Sequence, residues 1–175
     1  MNLSFSEELN GKPQYFIRKI WRSLSLKIQH NDFDTFESAH RLRFNTGFSK
    51  PENGTDALSA KIHTIRRFRT HASGTIASRQ WKKGMAIHLS INPGTSDYFR
   101  FAPLICCTAL QQVEITWPTG SEIGLPEIRI DQRRLTPQEI DLLAINDGFD
   151  TTAAFLNYFN LNFKGVLIHW TNFSY

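Results

Sequence analysis

Cysteine is scarce in this chain: two occur in 175 residues, and they are neighbours, Cys106 and Cys107. Adjacent residues of an extended segment point to opposite faces, so no structural disulfide is expected, and a reducing, cytoplasmic setting fits. No second cysteine pair is available to hold zinc. The six histidines, His30, His40, His63, His71, His88 and His169, show no ligand-like spacing, so neither a metal nor another cofactor is expected. Long apolar runs are also missing. Stretches such as residues 102–107 fall far short of the roughly 18 residues that a membrane span needs, so no transmembrane helix and no membrane partner are expected. The opening MNLSFSEELNGK carries two carboxylates where a secretory leader has positive charge followed by an apolar stretch. Secretion by that route is not expected.

The remaining composition is that of an ordinary globular protein, with 41% hydrophobic and 21% charged residues. A chain of this length buries one sizeable core, which predicts a single domain over 1–175. Its charge is unevenly spread. Residues 1–83 hold 15 Lys and Arg against 7 Asp and Glu, a net +8, whereas residues 84–175 hold 5 against 9, a net −4. A cationic half is the usual electrostatic footprint of nucleic-acid or phosphate binding, although a solvated basic surface produces the same count.

The hydrophobic pattern predicts an α+β fold. Leu3 and Phe5 share one face of a short strand over residues 2–6. Phe16, Ile17, Ile20, Trp21 and Leu24 recur at helical spacing after Pro13, predicting a helix over 13–26 that exposes Arg18, Lys19 and Arg22. Residues 27–59 are polar, of mixed charge and broken by Gly47, Pro51 and Gly54, and they read as a long inserted loop. From there β-branched and aromatic residues dominate 62–68, 85–91, 104–117, 128–130 and 166–170, predicting a mostly antiparallel sheet or small barrel. Thr136-Pro137-Gln138-Glu139 is a capping box with proline at the first helical position. The helix it starts is expected to bury Leu142, Leu143 and Ile140 and to stop at Asn146-Asp147-Gly148. A second short helix over 151–159 should bury Phe155, Leu156 and Phe159.

The segment richest in chemistry is Ser59-Ala60-Lys61-Ile62-His63-Thr64-Ile65-Arg66-Arg67, followed by Trp81-Lys82-Lys83-Gly84-Met85. Thr64 and Arg66 lie two residues apart and share a strand face. Lys61 would fall on the other face under strict alternation and joins them only if a turn or bulge intervenes at Ile62 or His63. A half-buried strand with a solvated basic face has the same spacing.

Four segments, taken in order, resemble the ASCH domain family: Lys61-Ile62-His63-Thr64-Ile65-Arg66; Lys83-Gly84-Met85-Ala86-Ile87; Leu142-Leu143-Ala144-Ile145-Asn146-Asp147-Gly148-Phe149; and Gly165-Val166-Leu167-Ile168-His169-Trp170-Thr171. The last two are similar to versions found in bacterial and phage genomes. The resemblance implies a PUA-like, mostly antiparallel β-barrel with flanking helices. It also implies an RNA- or nucleotide-binding role, with RNA or a nucleoside or nucleotide as partner. One branch of the family consists of amidohydrolases that deacetylate acetylated cytidine with a Lys-x-x-Thr pair and a downstream acidic residue. On this chain those positions are Lys61, Thr64 and Asp147. The sequence departs from that pattern in having Ser59 where glycine is usual, an aspartate in place of glutamate, and the 27–59 insertion.

RNA or nucleotide binding is the leading reading of the segment, with amide hydrolysis as the alternative. Lys61, Arg66, Arg67, Trp81, Lys82, Lys83 and His169 could grip phosphate and stack on bases. Alternatively Lys61, Thr64 and Asp147 could hydrolyse an amide, which needs a base, an activated nucleophile and a donor for the oxygen that turns negative. A protein-interaction module without chemistry is the third reading. Trp81 and His169 also have ordinary packing roles open to them, and Asp147 could simply form the turn that ends its helix.

Overall fold

The computed structural model describes residues 1–6, 8–9, 12–13, 15–24, 30–48, 59–68, 80–118 and 124–175. In chain order these form β1 (Asn2–Ser4), β2 (Glu8–Leu9), β3 (Lys12–Pro13), α1 (Phe16–Leu24), α2 (His30–Phe44), β4 (His63–Arg67), β5 (Ala86–Ile91), β6 (Phe99–Arg100), β7 (Ile105–Cys106), β8 (Ala109–Thr116), β9 (Glu127–Ile130), β10 (Arg133–Arg134), α3 (Pro137–Asn146), α4 (Thr152–Tyr158) and β11 (Phe163–His169). The mixture is α+β, as the periodicity predicts.

One sheet centres on β5, which pairs in parallel with β1 and antiparallel with β6 and β7. The second runs β10-β9-β8-β11-β4, antiparallel throughout. Both are open, and the described residues close no barrel. The strand expected over 104–117 is two strands. At Cys107 and Thr108 the backbone stops bonding to the β5 region and starts bonding to β11, as Cys107 N–H donates to Met85 O and Thr108 N–H to His169 O. The chain thus passes from one sheet to the other.

Strand β11 separates two cores. Val166 and Ile168 face a core built from α1, α2 and the β5 sheet, with Trp21, Phe33, Phe48 and Phe101 at its centre. Phe163 and Leu167 face a second core that holds Ile65, Val113, Ile130, Leu143, Phe155 and Phe159. A strand buried on both faces reads as a continuous apolar run, which explains the Val166-Leu167-Ile168 sequence.

Three expectations need correction. The 27–59 segment is not simply a loop, because His30–Phe44 is helical. Phe33, Phe36, His40 and Phe44 stand at i, i+3, i+7 and i+11 and pack on Trp21 or on one another, but the polar residues between them mask the period. Residues 25–29 and 49–58 of that stretch lie outside the described residues. The first helix begins at Phe16, not at Pro13, which ends β3; Tyr15, at φ +53°, turns the chain into the helix. Leu142 is 40% exposed, and it is Leu143 and Ala144 that α3 buries.

The ends of α3 follow the sequence closely. Thr136 and Glu139 satisfy each other's backbone N–H groups, and the Glu139 carboxyl is held at about 2, chiefly by Arg133 and the Thr136 backbone. At the other end Gly148 N–H bonds to Ile145 O and Phe149 N–H to Ala144 O, a Schellman closure with Gly148 at φ +90°. A side chain at Gly148 would also press on Lys61 Cδ and Phe16 Cε1, each 3.0 Å from the position of a Cβ. This closure makes Asp147 the helix C-cap and fixes where its carboxylate points.

Candidate functional site

Lys61 lies just before β4, so strand alternation does not govern it. Its backbone N–H donates to Lys19 O of α1 (3.0 Å), and the next N–H, of Ile62, donates to Asn146 O at the end of α3 (3.0 Å). These two bonds carry the lysine across the sheet edge and aim its side chain at the α3 C-cap. There Lys61 Nζ meets Asp147 Oδ1 at 2.8 Å and also donates to the Asp147 backbone carbonyl. The shorter acid reaches because the lysine comes to it. The same Oδ1 accepts from Ile65 N–H (3.2 Å) and lies 3.7 Å from His63 Nδ1.

Both charges are buried, Lys61 at 2% exposure and Asp147 at 5%. The Lys61 ammonium also sits over the Phe5 and Phe16 rings, at 5.7 and 5.3 Å from their centroids. Burial works against both charged forms, with different outcomes. For Lys61 desolvation outweighs the attraction of Asp147, and the neighbouring Arg66 and Lys19 add to it, so its pKa falls to about 8. For Asp147 burial pushes upward, but Lys61 and His63 together overcome it and hold the carboxyl below the ordinary aspartate range.

This pair lines a cleft of about 100 Å³. Thr64 and Arg66 enter it from one face of β4, as their spacing predicts, and Phe5, Phe16, Phe149 and Tyr158 supply aromatic surface. Arg66 is half-buried, donates to Ser4 O (2.5 Å) and lies over the Phe5 ring. A cavity of roughly 150 Å³ accepts benzene, so at about 100 Å³ the enclosed part of this one suits an acyl amide group, with the ring and the rest of a ligand lying toward the open side.

The structure therefore brings together Lys61, Thr64, Arg66 and Asp147 and leaves the other candidates elsewhere. Arg67 is exposed and stacks on Phe163, away from the cleft lining. Lys82 and Lys83 are exposed before β5, also outside it. Trp81, 9% exposed, packs in the first core, so its ring offers no stacking platform. His169 does not face the cleft. It is fully buried beside His63, with no hydrogen-bond partner on either ring nitrogen among the described residues, and burial holds its pKa at about 4.

Three contributors escape sequence reading. Lys19, expected on the exposed face of its helix, is fully buried; its Nζ donates to Gly148 O (2.8 Å) and Asp150 Oδ1 (2.6 Å) and pins the loop that carries Asp147. His63 and Tyr175 sit behind the carboxylate, Tyr175 Oη being 3.0 Å from His63 Nε2. Only the His63-x-Ile65 alternation gave any sign that the imidazole points inward.

Among the described residues no group of three or more His, Cys, Asp or Glu is placed to hold a metal ion, and no helix is long and apolar enough to cross a membrane. Comparison with known proteins finds no matching family model, no matching curated protein and no matching solved structure.

Proposed function

We propose that this chain adopts an ASCH-type, PUA-like architecture and hydrolyses the amide of a small acylated nucleobase or nucleoside, of the acetylated cytidine class. The observation that carries this reading is the 2.8 Å contact between a buried amine and a buried carboxylate at a cleft that Thr64 also lines. A phosphate site needs cationic charge left over for the ligand, and of the two cations that line the cleft Lys61 already spends its charge on Asp147, which leaves Arg66 alone.

The chemistry follows from the roles available. With its pKa near 8, Lys61 is the neutral amine about a tenth of the time at pH 7 and about half of the time at pH 8. That amine takes a proton from water as the oxygen attacks the acyl carbon. Thr64 donates a hydrogen bond to the carbonyl oxygen as it becomes negative. The C–N bond then breaks, and the Lys61 ammonium returns its proton to the departing amine nitrogen, giving acetate and cytidine. Asp147 orients the lysine and stabilises its charged form in between, while the aromatic walls accept the planar base.

The purified protein should release cytidine and acetate from acetylated cytidine, followed chromatographically, with kcat/KM rising as pH increases through about 8 and then levelling as Lys61 loses its proton. No release at stoichiometric enzyme would reject the assignment.

A second reading, RNA or nucleotide binding without turnover, is favoured by the half-buried Arg66 in the cleft and by exposed Arg67, Lys82 and Lys83. It predicts single-stranded RNA affinity that weakens steeply with salt and drops when Arg66 is replaced by glutamine. Salt-insensitive or absent binding at low ionic strength removes it.

A further inference from the structure

We propose that His63, oriented by Tyr175 and Asn146, is a positioning residue for Asp147: its Nε2 accepts the tyrosine hydroxyl proton and its Nδ1–H is directed at the carboxylate. The kinetic consequence rests on the amide-hydrolysis reading, whereas the tautomer assignment does not.

Tyr175 Oη lies 3.1 Å from Asn146 Nδ2 and 3.0 Å from His63 Nε2. An amide nitrogen only donates, so the hydroxyl oxygen accepts from Asn146, and among the described residues His63 Nε2 is the acceptor within reach of its single proton. A neutral imidazole with its lone pair on Nε2 carries its hydrogen on Nδ1. Nδ1 is the atom that faces Asp147 Oδ1, at 3.7 Å. That separation exceeds a hydrogen bond, so the ring acts as an oriented dipole behind the carboxylate, on an oxygen that already accepts from Lys61 and Ile65.

Each part is held from elsewhere in the fold. The β4–β11 register sets His63 opposite His169, where it is fully buried. Tyr175 is clamped by Gln111, whose Oε1 accepts its backbone N–H (2.9 Å) and whose Nε2 donates to its carbonyl (3.1 Å). Gln111 Nε2 also donates to Asp131 Oδ2 at the β9–β10 turn (3.0 Å). Asn146 immediately precedes Asp147, so the donor that sets the hydroxyl and the carboxylate that receives the result share one helix end. Burial keeps His63 neutral and Tyr175 protonated, the states the chain requires.

The test reads the tautomer directly. In 15N-labelled protein at pH 7.5, two-bond 1H–15N correlations of His63, assigned by their loss in His63→Asn, should show a protonated Nδ1 and an unprotonated Nε2. Tyr175→Phe should move Nε2 toward the protonated shift as the two tautomers mix. It should also lower kcat on acetylated cytidine about 10-fold, the scale of partners that orient a reacting group, with little change in KM. His63→Asn, which can keep an N–H near the Nδ1 position, should recover part of the loss seen in His63→Leu. A wild-type ring protonated on Nε2, or a tautomer unmoved by Tyr175→Phe, overturns the proposal. If wild-type protein does not turn over acetylated cytidine, the hydrolysis reading falls and the nitrogen shifts still decide the relay.

Discussion

Asp147→Ala should cost about 3–5 kcal/mol of folding stability, the penalty for leaving a buried partner charge uncompensated. The Lys61 ammonium would then face two phenyl rings and one backbone carbonyl, with Arg66 and Lys19 close enough to repel it. The deficit should depend on pH in a defined direction. Lys61 already has a lower pKa folded than unfolded, and losing Asp147 lowers the folded value further. Between the two values the unfolded chain binds more protons, so stability rises with pH. Urea titrations at pH 6 and pH 9 should therefore show the larger deficit at pH 6. A deficit of the same size at both would mean that the lysine is not what suffers.

Lys61→Met should lower kcat on acetylated cytidine by about 100- to 10,000-fold, the range for losing a general base. The methionine fills much of the lysine's space between Phe5 and Phe16 but accepts no proton. On its own this change strands the Asp147 carboxylate and lowers stability as well. Adding Asp147→Leu removes the second charge, and the double variant should regain most of the lost stability while remaining inactive. Separating the two readouts in this way shows whether inactivity reflects lost chemistry or lost structure. Full turnover by Lys61→Met at unchanged stability would remove the lysine from the mechanism.

How far the sequence could be read depended on whether a signal was local. The α3 boundaries were legible because both are written in adjacent residues: a capping box at Thr136–Glu139 and glycine at 148. The meeting of Lys61 with Asp147 was suggested only by resemblance, since it depends on bonds to Lys19 O and Asn146 O that no spacing rule contains. The burial of Lys19 is hidden from the sequence for the same reason. On a helical wheel it belongs with Arg18 and Arg22, and it is buried only because Gly148 and Asp150 come to meet it from 129 and 131 residues away. The α2 stripe was in principle readable, but it uses a histidine as one of its four inward positions, and Leu42, the residue that looks most apolar there, is 90% exposed. Likewise nothing near His63 announces Tyr175, which arrives through the pairing of β11 with β4 and β8.

Because β11 is covered on both sides, neither core can come apart while the other keeps its full seal. Loosening the aromatic packing under α1 bares one side of the ribbon to water, and the residues between Phe163 and Trp170 then lose rigidity that the α3 end also uses. The described body is accordingly expected to melt as one cooperative unit, with a single transition in a thermal scan. A cavity made near Trp21 should therefore lower the midpoint of that one transition and loosen the side of the ribbon that faces the α3 core along with its own.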